Sequence, residues 1–111
     1  MDYPLIIIRI REEKHMTSKQ RAYLKSLASS LSPSFQVGKS SLTPEFTEAI
    51  LESFNNNELI KISVLKNCLD DPREIGQMIA DRTHAELVQV IGKKIVLYKP
   101  FPKDPKIILP L

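Results

Sequence analysis

The sequence has little of several residue types that would mark a chemistry. It holds one cysteine, no tryptophan and three glycines in 111 residues. A lone cysteine, Cys68, excludes an intrachain disulfide and reads as a neutral structural thiol in a protein of the reducing cytoplasm. The missing tryptophan and scarce glycine argue against a carbohydrate-binding surface and a Gly-rich nucleotide fold. No long hydrophobic run is present. The longest, Pro4 to Ile8, is too short to span a bilayer and lacks the flanks of a signal peptide, so no membrane association is expected. Neither sign of charge dominates, with 16 Lys+Arg against 13 Asp+Glu and a net charge of +3. Composition therefore does not diagnose a nucleic-acid partner, and the clustering of the charges has to decide.

Catalytic constellations are missing too. His15 and His84 stand alone, without a cysteine or carboxylate at metal-ligand spacing, so neither a metal nor another cofactor is expected. Gly38-Lys39-Ser40 has the look of the end of a P-loop, but the glycine required five residues earlier is Pro33. Asp70-Asp71 could pass for a carboxylate pair, yet Asp71 is better explained as a helix cap ahead of Pro72 and Glu74. The expectation is a protein that is not an enzyme.

What is present is a chain long enough for one domain with its own core. Thr17 to Gln20 is a capping box that opens a helix, and Leu24, Leu27, Ala28 and Leu31 give it an apolar stripe. Phe35 and Val37 flank Gln36 in a short strand. Gly38 then supplies backbone freedom for a sharp turn, and Thr43 with Pro44 opens a second helix with Phe46, Ala49, Ile50 and Phe54 inward. Glu58 to Leu65 alternates as a strand, with Ile60, Ile62 and Val64 on one face. A third helix from Asp71 to about Thr83 buries Ile75, Met78 and Ile79. Glu86 to Ile91 and Lys94 to Tyr98 form a hairpin turning at Gly92-Lys93. The order α-β-α-β-α-β-β predicts an α/β two-layer fold on a mixed four-stranded sheet.

Three segments follow. Residues 1–15 form an N-terminal extension in which Leu5 to Ile10 reads as an extra strand, residues 16–99 the domain, and residues 100–111 a Pro-rich tail in which Ile107 to Leu109 could pair as an edge strand. The loop Phe35 to Pro44 is the organising stretch. A basic, Gly-containing loop that runs into a helix N-terminus presents N–H groups and positive charge, a natural phosphate site. Lys39 is its strongest single residue, and Gly38, Ser40, Ser41 and Thr43 complete it. Lys19, Arg21 and Lys25 on the first helix extend the basic surface, Arg21 foremost because a guanidinium fork matches phosphate oxygens. Lys61, Lys93, Lys94 and Lys99 are further members if the fold gathers them. Tyr23 and Tyr98 either stack on bases or pack on the core.

Four stretches carry a resemblance: Thr17-Ser-Lys-Gln-Arg-Ala-Tyr-Leu-Lys-Ser-Leu-Ala28, Val37-Gly-Lys-Ser-Ser-Leu-Thr43, Glu58-Leu-Ile-Lys-Ile-Ser-Val64 and Val90-Ile-Gly-Lys-Lys-Ile-Val-Leu-Tyr98. In this order and spacing they resemble the YhbY-like family, whose CRM domain is named for chloroplast RNA splicing and ribosome maturation. The resemblance covers about residues 16–99. It implies a KH-like RNA-binding fold and, for stand-alone bacterial members, a role in assembling the large ribosomal subunit. The implied partner is ribosomal RNA or a pre-large-subunit particle. It also maps Gly38, Lys39, Ser40 and Ser41 onto the KH Gly-x-x-Gly element. The last of these is usually glycine in the family. If that position needs positive φ, serine fits it less well. A different function class, a protein-interaction module, would use Leu5 to Ile10 to pair with a partner's sheet edge.

Overall fold

The computed structural model describes residues 16–111, so the strand expected over Leu5 to Ile10 lies outside the described residues. Thr17 opens helix α1 (Ser18–Ala28) with a reciprocal capping box: its hydroxyl accepts from Gln20 N at 3.1 Å, and Gln20 Oε1 accepts from Thr17 N at 3.1 Å. Strand β1 (Phe35–Val37), helix α2 (Pro44–Ser53) and strand β2 (Leu59–Val64) follow as a β-α-β unit. Its helical crossover lets β1 and β2 run parallel, with Val37 opposite Val64. Helix α3 (Pro72–Thr83) leads to the hairpin of β3 (Glu86–Ile91) and β4 (Lys94–Tyr98). Gly92, at φ +58°, supplies the left-handed residue of that turn. The sheet order is β1-β2-β4-β3, and the β2–β4 and β3–β4 pairs are antiparallel.

The expected α/β fold with a mixed four-stranded sheet is met, with one extension in its layering. On one face, α2 and α3 bury Ile50, Phe54, Ile75 and Ile79 against Val37, Ile60, Ile62, Ile95 and Leu97. On the other, Leu24 and Ala28 of α1 close over Val88, Val96 and Tyr98. Helices therefore cover both faces instead of making two layers. The cause is legible in β4, where Ile95, Val96, Leu97 and Tyr98 are all buried, the continuous apolar run of a strand covered on both sides. Each such side chain contributes about 1.5–3 kcal/mol on burial.

Helix α3 is turned differently from the expectation. Its buried stripe is Ile75, Gly76, Ile79, Ala80 and Thr83, and Met78 is 42% exposed. Gly76 sets this rotation: a Cβ there would meet Leu87 Cδ1 at 3.0 Å and Ile95 Cγ2 at 3.3 Å. The helix thus rides on the sheet through its smallest residue. His84 ends α3 in the left-handed region at φ +58°, a backbone role.

The tail is irregular, as its prolines require, but it does not pair as a strand at Ile107 to Leu109. Instead it docks. The buried Glu58 carboxylate accepts from Phe101 N at 2.8 Å, Lys106 N at 2.9 Å and Ile107 N at 2.7 Å. Ile107 and Leu109 pack against the α1-side core, and Gln20 Nε2 donates to Pro110 O at 3.0 Å. Burial, with Glu58 beside it, pushes the Tyr98 hydroxyl above its ordinary pKa. The native state then holds a proton that the unfolded chain releases, so this contribution is lost as pH rises past the ordinary tyrosine range.

Candidate nucleic-acid interface

The β1–α2 loop is a hydrogen-bonded turn. Ser41 N donates to Gly38 O at 2.9 Å, which leaves Lys39 and Ser40 exposed at its corner. Ser41, at φ +54°, is the residue in the left-handed region; Gly38 is not. The backbone freedom expected of Gly38 is thus demanded of Ser41, the position where the resemblance implies glycine. A Cβ on Gly38 would make ordinary contacts, 3.4 Å to Asn67 Oδ1 and 3.6 Å to Leu65 Cδ1. A non-glycine residue in the left-handed region carries roughly 1–2 kcal/mol of strain, partly offset by the lower entropy of its unfolded state. Ser41→Gly is therefore expected to stabilise the domain by about 0.5–1 kcal/mol, read as a higher melting temperature. A lower one would mean that the serine side chain holds the loop.

Beyond the turn, the Thr43 hydroxyl accepts from Phe46 N at 3.1 Å and Pro44 takes the first helical position, as expected. Glu45 stands in the first turn of α2 and offsets part of the positive end of that helix. The attraction for an anion has to come from cationic side chains.

Those side chains are supplied by three separate loops. Because β1 and β2 are parallel, their C-terminal ends lie together: Leu65 N donates to Val37 O at 2.8 Å, and Gly38 abuts Asn67. The hairpin turn joins them, since Val64 N donates to Lys93 O at 2.7 Å and Lys94 pairs with Ser63. Lys39, Lys66 and Lys93 are exposed at this one end of the sheet. Lys94 stands beside them, its Nζ 3.3 Å from Ser63 Oγ. Lys66 and Asn67 carry no motif and escape a residue-by-residue reading. The parallel pairing that a β-α-β order implies is the signal that finds them.

The remaining candidates are not gathered there. Helix α1 lies on the opposite face of the sheet from α2 and α3, and Lys19 and Lys25 are exposed on it. Arg21 faces inward: its Nη1 donates to Leu87 O at 2.7 Å and Val88 O at 2.9 Å, at the irregularity between Leu87 and Gln89 in β3. This guanidinium ties α1 to the sheet. Lys61 Nζ donates to Ala28 O at 3.1 Å and Leu31 O at 3.2 Å, closing the end of α1. Lys99 Nζ donates to Thr83 O at 2.8 Å and does the same for α3. Tyr98 is buried and Tyr23 is exposed. Cys68 is buried in the core. Among the described residues no group of three or more His, Cys, Asp or Glu side chains could hold a metal ion. No described helix is long and apolar enough to cross a membrane.

Three comparisons bear on this arrangement. Residues 16–99 match the pattern that defines the CRS1/YhbY (CRM) domain. The chain is 40% identical over 95 residues to the probable RNA-binding protein YqeI of Bacillus subtilis (strain 168), covering 86% of this chain and 99% of that one. It is 36% identical over 95 residues to a Haemophilus influenzae protein named RNA-binding protein, covering 86% of this chain and 95% of that one. In three dimensions it matches a Staphylococcus aureus protein solved in solution, with a TM-score of 0.73 and 41% identity over 86% of this chain and 100% of that one.

Proposed function

We propose, since this chain belongs to the CRS1/YhbY (CRM) domain family, that it binds RNA through the basic end of its sheet and serves as an assembly factor for the large ribosomal subunit. The observation that carries this reading is the convergence of Lys39, Lys66 and Lys93, from three loops, beside the exposed turn of residues 38–41. Such a rim suits a folded RNA backbone. Lysines provide point charges for phosphates, and the Lys39-Ser40 corner offers backbone at close range. Arg21, Lys61 and Lys99 hold helices in place in this reading, and Lys19 and Lys25 are solvated charges. The relatives named for RNA binding support the class of ligand. The assembly role rests on the resemblance to stand-alone bacterial members.

The test is affinity for a large-subunit ribosomal RNA fragment across a salt series, for wild type and Lys39→Glu. Wild type is expected to lose log K with log salt at roughly 0.7–0.9 per neutralised phosphate. Lys39→Glu is expected to bind more weakly, with a slope shallower by about one contact. Tight binding that is unchanged in the variant would move the interface away from the loop. Absence of binding at low salt would reject RNA as the ligand.

A further inference from the structure

A cleft of about 460 Å³ opens between the loop residues 40–42 and helix α3. Its floor along α3 is a single stripe: Glu74, Met78 and Arg82 recur every four residues, so their side chains stand one above another about 6 Å apart. Asp70 adds a second carboxylate at the Glu74 end. The Met78 thioether is exposed, an apolar surface between an acidic and a basic end.

The chemistry of the cleft excludes a phosphate at its acidic end and favours a flat, uncharged ring. We infer that it holds one unpaired guanine base of the bound RNA, and this deepens the reading above and rests on it. Ser40 and Ser41 belong both to the cleft wall and to the basic rim, so a strand whose phosphate meets Lys39 has its base at the mouth of the cleft. Guanine presents two adjacent donors, N1–H and N2–H, on one edge, and two acceptors, O6 and N7, on another. A carboxylate accepts from the first pair and a guanidinium donates to the second. Adenine and cytosine offer one exocyclic donor beside an acceptor, and uracil offers a single donor between two carbonyls. Of the bases, guanine best matches a stripe that ends in Glu74 and Arg82. Met78 lies under the ring, where a polarizable thioether packs well on an aromatic face.

The experiment compares short uridine oligonucleotides that differ only in one central base, by fluorescence anisotropy with the full chain. Wild type is expected to bind the guanine-containing strand about tenfold more tightly than all-uridine. In Asp70→Asn with Glu74→Gln this ratio should fall close to one, while all-uridine binding holds or tightens because negative charge has been removed. Met78→Ala, which changes no charge, should lower the ratio without altering the salt slope. All of these positions but Asp70 lie on the exposed side of α3, and an unchanged melting temperature checks that each variant is folded. A wild type without base preference overturns the guanine site. So does a preference that survives the double variant. In both cases the phosphate reading stands if Lys39→Glu weakens every strand alike. If no strand binds at low salt, both readings fall together.

Discussion

Neutralising Lys39, Lys66 and Lys93 together, each to glutamine, is expected to weaken RNA binding by roughly 100-fold at 0.1 M salt and to flatten its salt dependence by about 2.1 to 2.7 log units per log unit. Counterion release sets both effects. Each lysine that neutralises a phosphate frees condensed cations from the RNA, and that gain disappears with the charge. Glutamine keeps a long polar side chain in each loop, so the fold has no reason to change; all three lysines are exposed, and among the described residues none donates a side-chain hydrogen bond. The control is a pair of lysines on the far side of the sheet. Lys19→Gln with Lys25→Gln should leave the slope where it is. Should the control flatten the slope and the triple variant leave it steep, the interface belongs to α1.

The second large effect concerns the fold. Glu58→Ala is expected to destabilise the domain by about 3 kcal/mol. It removes a buried carboxylate that accepts from three backbone N–H groups of the tail. The loss is bounded because a released tail can solvate those N–H groups, together with Ile107 and Leu109. Hydrogen exchange at Phe101, Lys106 and Ile107 should accelerate with the drop in melting temperature. Glu58→Gln should cost less, since one oxygen still serves Lys106 and Ile107 while an amide N–H is set against Phe101 N. RNA affinity should be untouched, because the tail docks away from the basic end. Protection of all three amides in Glu58→Ala would show that packing alone holds the tail.

These two predictions mark where sequence reasoning succeeds and stops. Signals that act within four residues are legible: the Thr17–Gln20 box, Thr43 with Pro44, Asp71 with Pro72, and the alternation of Ile60, Ile62 and Val64. The order of elements and the loop itself follow from them. Glu58 is different. Its partners lie 43, 48 and 49 residues downstream, and nothing local to a glutamate before a strand reports them. Arg21 illustrates the same limit. An arginine off the apolar stripe of a helix looks solvated, yet its partners are carbonyls in β3, 66 and 67 residues away. Met78 misleads because helical periodicity fixes which residues share a face but not how far that face is rotated; Gly76 against Leu87 decides it. Lys66 becomes visible only once β1 and β2 are known to be parallel.

The tie between Arg21 and β3 has a bearing on how the molecule behaves at high concentration. Strand β3 is an outer strand of the sheet, and the carbonyls of an outer strand are a template on which a foreign strand can be laid. Here Leu87 and Val88 already give their oxygens to a guanidinium, and the irregular register beside them bends the row. The other outer strand, β1, is three residues long. A neighbouring molecule therefore finds no continuous ladder to extend on either border of the described sheet. Arg21→Met is expected to free those two carbonyls, with the effect read by light scattering as association at high concentration and not as a change in RNA affinity.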